Sequence, residues 1–167
     1  MKKKRGQIQI NFSMIFSILL IAVFIAVAFY AISMFLDIKN CSDTGLFKQD
    51  LQESIDKALN SDLSQFNFTS NLPNSIKQVC IIDMGSAAKG QFSSYYKDIE
   101  KYGWQDFNLF FYPFESACSG QTSFNLEHLN IEEITKNENP YCFDNSNKIT
   151  MRIEKGFGDN LVTLKRT

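Results

Sequence analysis

Phe12 to Leu36 is an unbroken apolar run in which only Ser13, Ser17, Tyr30 and Ser33 carry polar side-chain groups. The wider stretch from Gln7 to Leu36 contains no Asp, Glu, Lys, Arg or His. As a helix rising ~1.5 Å per residue, the Phe12–Leu36 run would be about 37 Å long. A bilayer's hydrocarbon core is ~30 Å thick, so the pattern predicts a transmembrane helix over 7–36, with some tilt. A helix satisfies its own backbone N–H and C=O groups, as lipid requires. A soluble helix apolar on every side needs a large protein around it, and the rest of the chain is too short to supply one.

Beyond Leu36 the pattern changes. Residues 37–45 (DIKNCSDTG) form a polar stretch expected to be a connector, with Asp43 or Thr44 placed to cap the next helix. Phe47, Leu51, Ile55, Ala58 and Leu59 then fall at helical spacing, with charged and amide residues between them. An amphipathic helix over 46–59 follows. Strands are expected at Phe66–Thr69 and Ser75–Asp83, the latter with Val79–Ile82 continuously apolar, and at Asn108–Phe114, ended by Pro113. Met84–Ser94 reads as a loop, and Tyr95–Trp104 as a helical turn or surface loop. Phe124–Ile131 alternates in part and passes towards a short helix. Pro140–Phe143 is a short strand. Ile149, Met151 and Ile153 alternate with polar residues, and a Gly-rich turn leads to Leu161–Lys165, which together make an antiparallel hairpin.

The expected fold class is therefore α+β: an N-terminal transmembrane helix followed by one small extracytoplasmic domain over 46–167, with an amphipathic helix packed on a mostly antiparallel β-sheet. Residues 1–6 are a basic leader.

The flanks give the orientation. Lys2, Lys3, Lys4 and Arg5 precede the run, while Asp37 and Lys39 after it cancel. The positive-inside tendency places the N-terminus in the cytoplasm and the domain outside the cell membrane. A cleaved secretory signal fits less well, since its apolar core is usually ~7–15 residues and no small-x-small cleavage pattern follows here.

The leader Lys-Lys-Lys-Arg5-Gly6, then Gln7, then a long apolar helix, resembles the class III signal segment of archaeal type IV pilin-like proteins. The resemblance covers only about the first 36 residues. It implies cleavage after Gly6 by a membrane peptidase, Gln7 as the mature N-terminus, and a helix that anchors the subunit before packing into a filament core. Many members carry a Glu five residues into the mature chain, where this sequence has Asn11.

Composition narrows the partners. The chain has 17 Lys plus Arg against 18 Asp plus Glu, and every acidic residue follows Leu36, so the outer part is net acidic. This excludes a basic nucleic-acid surface and leaves the lipid bilayer as the expected partner. Ser13, Ser17, Ala28 and Ala31 share one side of the helical wheel, and Ala22, Ala26 and Ser33 the other. Such small residues permit helix–helix association with the same chain or with other membrane or pilin-like subunits. Cys41, Cys80, Cys118 and Cys142 all lie on the outer side, widely spaced, as expected of two disulfides whose pairing the sequence leaves open. Free buried thiols are the alternative. There is no zinc-type or Cys-x-x-Cys spacing, so no metal or cofactor is expected.

Candidate chemistry is sparse. Tyr95, Tyr96, Tyr102 and Trp104 form an aromatic group of the kind enriched in recognition surfaces, though more ordinary as rim residues of a small core. Asn67-Phe68-Thr69 matches the N-glycosylation pattern, and Asn40-Cys41-Ser42 matches it less well. His128 stands without a neighbouring ligand or nucleophile. Asp83, Glu115 and Glu127 are the acids from which a paired-carboxylate site would have to come. The sequence thus predicts a single-pass anchored, non-enzymatic domain for surface binding or envelope structure. A pilin-like subunit is the first alternative and a membrane-tethered hydrolase the second.

Overall fold

The computed structural model describes residues 12–101, 106–117, 122–146 and 148–167. The chain divides into two compact units, with the boundary between Ile38 and Lys39.

That boundary falls inside one element, helix α1 (Phe12–Leu59). The connector expected at 37–45 is helical throughout. Thr44 is not a cap there: its hydroxyl donates to the Asn40 carbonyl at 2.8 Å, the i−4 back-bond of a residue in mid-helix. The stretch contains no proline, and Gly45 costs a helix too little to end it. The first unit holds the apolar turns. An 18-residue window there has a mean hydropathy of 2.9 and is 0% buried.

The second unit is an α+β domain. Its elements after α1 are β1 (Ser64–Ser70), β2 (Gln78–Ile81), α2 (Ser93–Glu100), β3 (Leu109–Tyr112), β4 (Ser123–Phe124), α3 (Ile131–Ile134), β5 (Tyr141–Asp144), β6 (Ile149–Lys155) and β7 (Thr163–Lys165), with a 3-10 turn at Phe114–Ser116. Every strand pairing is antiparallel. One sheet has the order β4-β3-β2-β5 and the other β1-β6-β7.

Alternation along the strands decides which layer each residue joins. Val79, Ile81, Leu109, Phe111 and Phe143 belong to the main core with Phe47, Leu51, Ile55 and Ala58 of α1. Cys80, Ile82, Phe110 and Cys142 point the other way and form a second core with Phe92, Ile99 and Phe107. The four-stranded sheet is thus covered on both faces, which explains its continuously apolar strands. The three-stranded sheet is one-sided. Phe68, Ile149, Met151, Ile153 and Leu164 are buried, while Asn67 and Thr69 are exposed. In the α1 stripe, Thr44, Phe47, Leu51, Ile55 and Ala58 recur at three- and four-residue steps and are all buried.

Candidate functional site

Two regions carry features beyond packing: the apolar turns of α1, and the strands and loops of the domain that hold the cysteines, tyrosines and Asn67.

In the apolar turns the large side chains face outward. Phe24, Phe29, Tyr30 and Phe35 are each at least two-thirds exposed. Two of the hydroxyls of this stretch turn back upon the helix. Ser17 Oγ donates to the Ser13 carbonyl and Ser33 Oγ to the Tyr30 carbonyl, each at 2.9 Å. A donor bonded to its own helix removes much of the cost of taking a hydroxyl into an apolar medium. Gly6 and Gln7 lie outside the described residues.

In the domain, Cys80 and Cys142 sit directly opposite one another on β2 and β5 and form a disulfide. Both are buried, so the bridge staples two central strands from within the second core. Cys41, on α1, is also disulfide-bonded. Cys118 lies outside the described residues. Among the described residues no group of three or more His, Cys, Asp or Glu could hold a metal.

Tyr95 and Tyr96 are on α2, half-buried against the second core. The Tyr95 ring stacks on Tyr112 of β3, with centroids 3.7 Å apart and planes 10° apart. The Tyr96 hydroxyl donates to the Met84 carbonyl at 3.2 Å. Burial raises both phenol pKa values above 10.0; Tyr112 and Asp144 add to the effect at Tyr95, and Glu100 and Asp83 at Tyr96. These two rings serve as packing for the outer face of the sheet. Tyr102 and Trp104 lie outside the described residues.

Of the candidate acids, Asp83 is engaged within its own turn. The Asp83 carboxylate accepts from Gly85 N at 2.8 Å and from Ser86 Oγ at 2.6 Å, closing its own turn. Glu127 N donates to Gln52 Oε1 at 2.9 Å. His128 Nδ1 lies 3.2 Å from Asp56 Oδ1, so this loop is tied to α1. The Glu115 side chain lies outside the described part of the chain. Asn67 is exposed at the middle of β1, and Asn40 is half-buried in α1.

Arg166 is a feature that sequence reasoning missed. Its Nε donates to the Cys142 carbonyl at 2.7 Å, and its guanidinium lies 4.3 Å from the Tyr141 ring centroid and pairs with Glu138 at 2.5 Å. All of these partners are distant in sequence, so no local pattern marked it. An open groove of about 300 Å³ beside it is lined by Asp144, Lys148 and Thr150 among others.

Compared with known protein families, curated proteins and solved structures, the chain matches none.

Proposed function

We propose that this chain is a single-pass membrane-anchored protein whose α+β domain is displayed outside the cell for binding or for envelope structure, without catalysis. One contrast within α1 carries the proposal. Its first turns put large apolar side chains into the surroundings and bond their own hydroxyls, whereas Phe47 to Ala58 of the same helix supply a buried stripe to a core. Outside a bilayer, the first pattern is an exposed apolar surface far larger than soluble proteins carry. The basic flank at Lys2–Arg5 supports a cytoplasmic N-terminus. The disulfides support an oxidising compartment for the domain. Local engagement of Asp83 and His128 supports display over catalysis.

The test is fractionation with protease protection. The full chain should pellet with membranes, resist carbonate extraction and dissolve in detergent. Protease added to whole cells should remove the domain. A chain found in the aqueous fraction, or a domain digested only after the cells are opened, defeats the proposal.

A pilin-like subunit is a second reading, favoured by two observations. The Arg5-Gly6-Gln7 motif precedes the apolar run, and the apolar and packed turns belong to one helix without a coil between them. On this reading processing follows Gly6. N-terminal sequencing of membrane-extracted protein should then begin at Gln7, and Gly6→Leu should block the cut. A mature chain retaining Lys2–Gly6 removes this reading and leaves the anchor intact.

A further inference from the structure

The sheet edges of the domain are treated unequally. An open edge offers unpaired N–H and C=O groups to any other strand, and proteins blunt edges with shortness, charge or cover. β4 has two residues. The β5 edge is covered where Arg166 takes the Cys142 carbonyl. β7 has three residues, includes Lys165, and is flanked by 128–130 through Asn130 N to the Val162 carbonyl at 2.8 Å and Val162 N to the His128 carbonyl at 2.9 Å. β1 has none of these devices. It is seven residues long, pairs in regular register with β6 on one side, and has no charged residue or proline. Among the described residues no further backbone hydrogen bond reaches it.

Its sequence, Ser64-Gln65-Phe66-Asn67-Phe68-Thr69-Ser70, reads almost the same in both directions about Asn67. We infer that β1 is a self-pairing edge: the β1 of a second copy adds antiparallel to it, with the two-fold axis at Asn67. A two-fold interface needs one patch to be complementary to itself, and this register provides it. Ser64 faces Ser70, Gln65 faces Thr69, Phe66 faces Phe68 and Asn67 faces Asn67. Aromatic residues opposite one another and hydroxyl or amide groups opposite one another are favourable cross-strand pairs, and no like charges meet. The result is one continuous sheet, β7-β6-β1 joined to β1-β6-β7 of the second copy. The axis stands normal to the sheet, so the packed turns of α1 run in opposite senses in the two copies. A glycan on Asn67 would crowd the axis, so modification there and pairing exclude one another.

The inference rests on the domain; because α1 runs in opposite senses in the pair, two chains held through that helix in one bilayer could not share it, so it applies to copies held in separate membranes or micelles. Its test uses the full chain in detergent, by light scattering coupled to size exclusion and by disulfide trapping. The native chain is expected to be a dimer, and Asn67→Glu, which sets two carboxylates opposite each other across the axis while facing Arg152 of β6 in its own copy, a monomer with unchanged unfolding. Asn67→Cys should trap a covalent dimer on mild oxidation, because the two introduced thiols meet across the axis. Gln65→Cys should not, since it faces Thr69 and lies about 13 Å along the strands from its own counterpart. A monomeric native chain overturns the inference. So does a dimer that survives Asn67→Glu, which would place the contact elsewhere, for instance along the apolar helix. Equal trapping at 65 and 67 also overturns it.

Discussion

Phe47 of α1 meets Phe111 of β3 edge to face, with ring centroids 5.8 Å apart and planes at 67°. The same Phe47 ring meets Phe68 of β1 at 5.8 Å and 64°. One side chain of the helix therefore touches both sheets, and Phe47 and Phe111 are each 0% exposed. Phe47→Ala leaves a cavity that two sheets line, and is expected to cost about 3–5 kcal/mol. Chemical denaturation in detergent should show this as a lowered midpoint. Phe24→Ala, at a ring 68% exposed, should leave that midpoint unchanged.

Gly45 lies inside α1, and a Cβ added to it meets nothing within 4 Å. Gly45→Ala should therefore stabilise the domain by roughly 0.5–1 kcal/mol, since alanine restricts the unfolded chain and clashes with nothing. Gly90 behaves oppositely. Its φ is +81°, and a Cβ there would lie 2.7 Å from Glu138 Cγ. Gly90→Ala should lower the thermal midpoint where Gly45→Ala raises it.

The Glu154 carboxyl titrates below its ordinary 4.5, chiefly through its hydrogen bond to Lys165, with burial opposing and the charges of Lys165 and Arg152 assisting. Lys165 Nζ lies 2.6 Å and Arg152 Nη1 3.5 Å from its oxygens. A carboxyl lowered in the folded state stabilises fully above its unfolded pKa and loses that effect as pH falls through the folded one. The contribution of this pair is thus complete above about pH 4.5 and fades under more acidic conditions. Glu154→Gln should lower stability at pH 7 and flatten the acid limb of a stability–pH curve. An unchanged acid limb would show that the pair contributes nothing.

Replacing Cys80 and Cys142 together by alanine should cost about 2–4 kcal/mol, the usual worth of a bridge closing a long loop. Non-reducing peptide mapping should recover Cys80 linked to Cys142.

Elements whose residues sort themselves by local period were legible in the sequence. The stripe Phe47-Leu51-Ile55-Ala58, the alternation Ile149-Met151-Ile153 and the apolar runs through Val79 and Phe111 each have one burial solution. The α+β class and the terminal hairpin follow from them. The helical course of 37–45 was hidden because polar composition resembles a connector, and what decides is that Thr44 is carried into the core by its neighbours. The sequence does not separate a recognition-surface Tyr95 from one at the rim of the core, because its stacking partner, Tyr112, is on another element. Cys80 faces Cys142 only through the register of strands 62 residues apart, which no spacing rule supplies. The cover over β5 and the bareness of β1 likewise depend on where distant segments come to rest.

Because the core draws Thr44, Phe47, Leu51, Ile55 and Ala58 from α1, the place where that helix is severed decides what is released. Scission ahead of Lys39 leaves every one of these residues in the second unit. Scission beyond Phe47 would strip a wall from the hydrophobic interior. Recombinant work on the domain should therefore begin at Lys39, which keeps all of these residues in the chain.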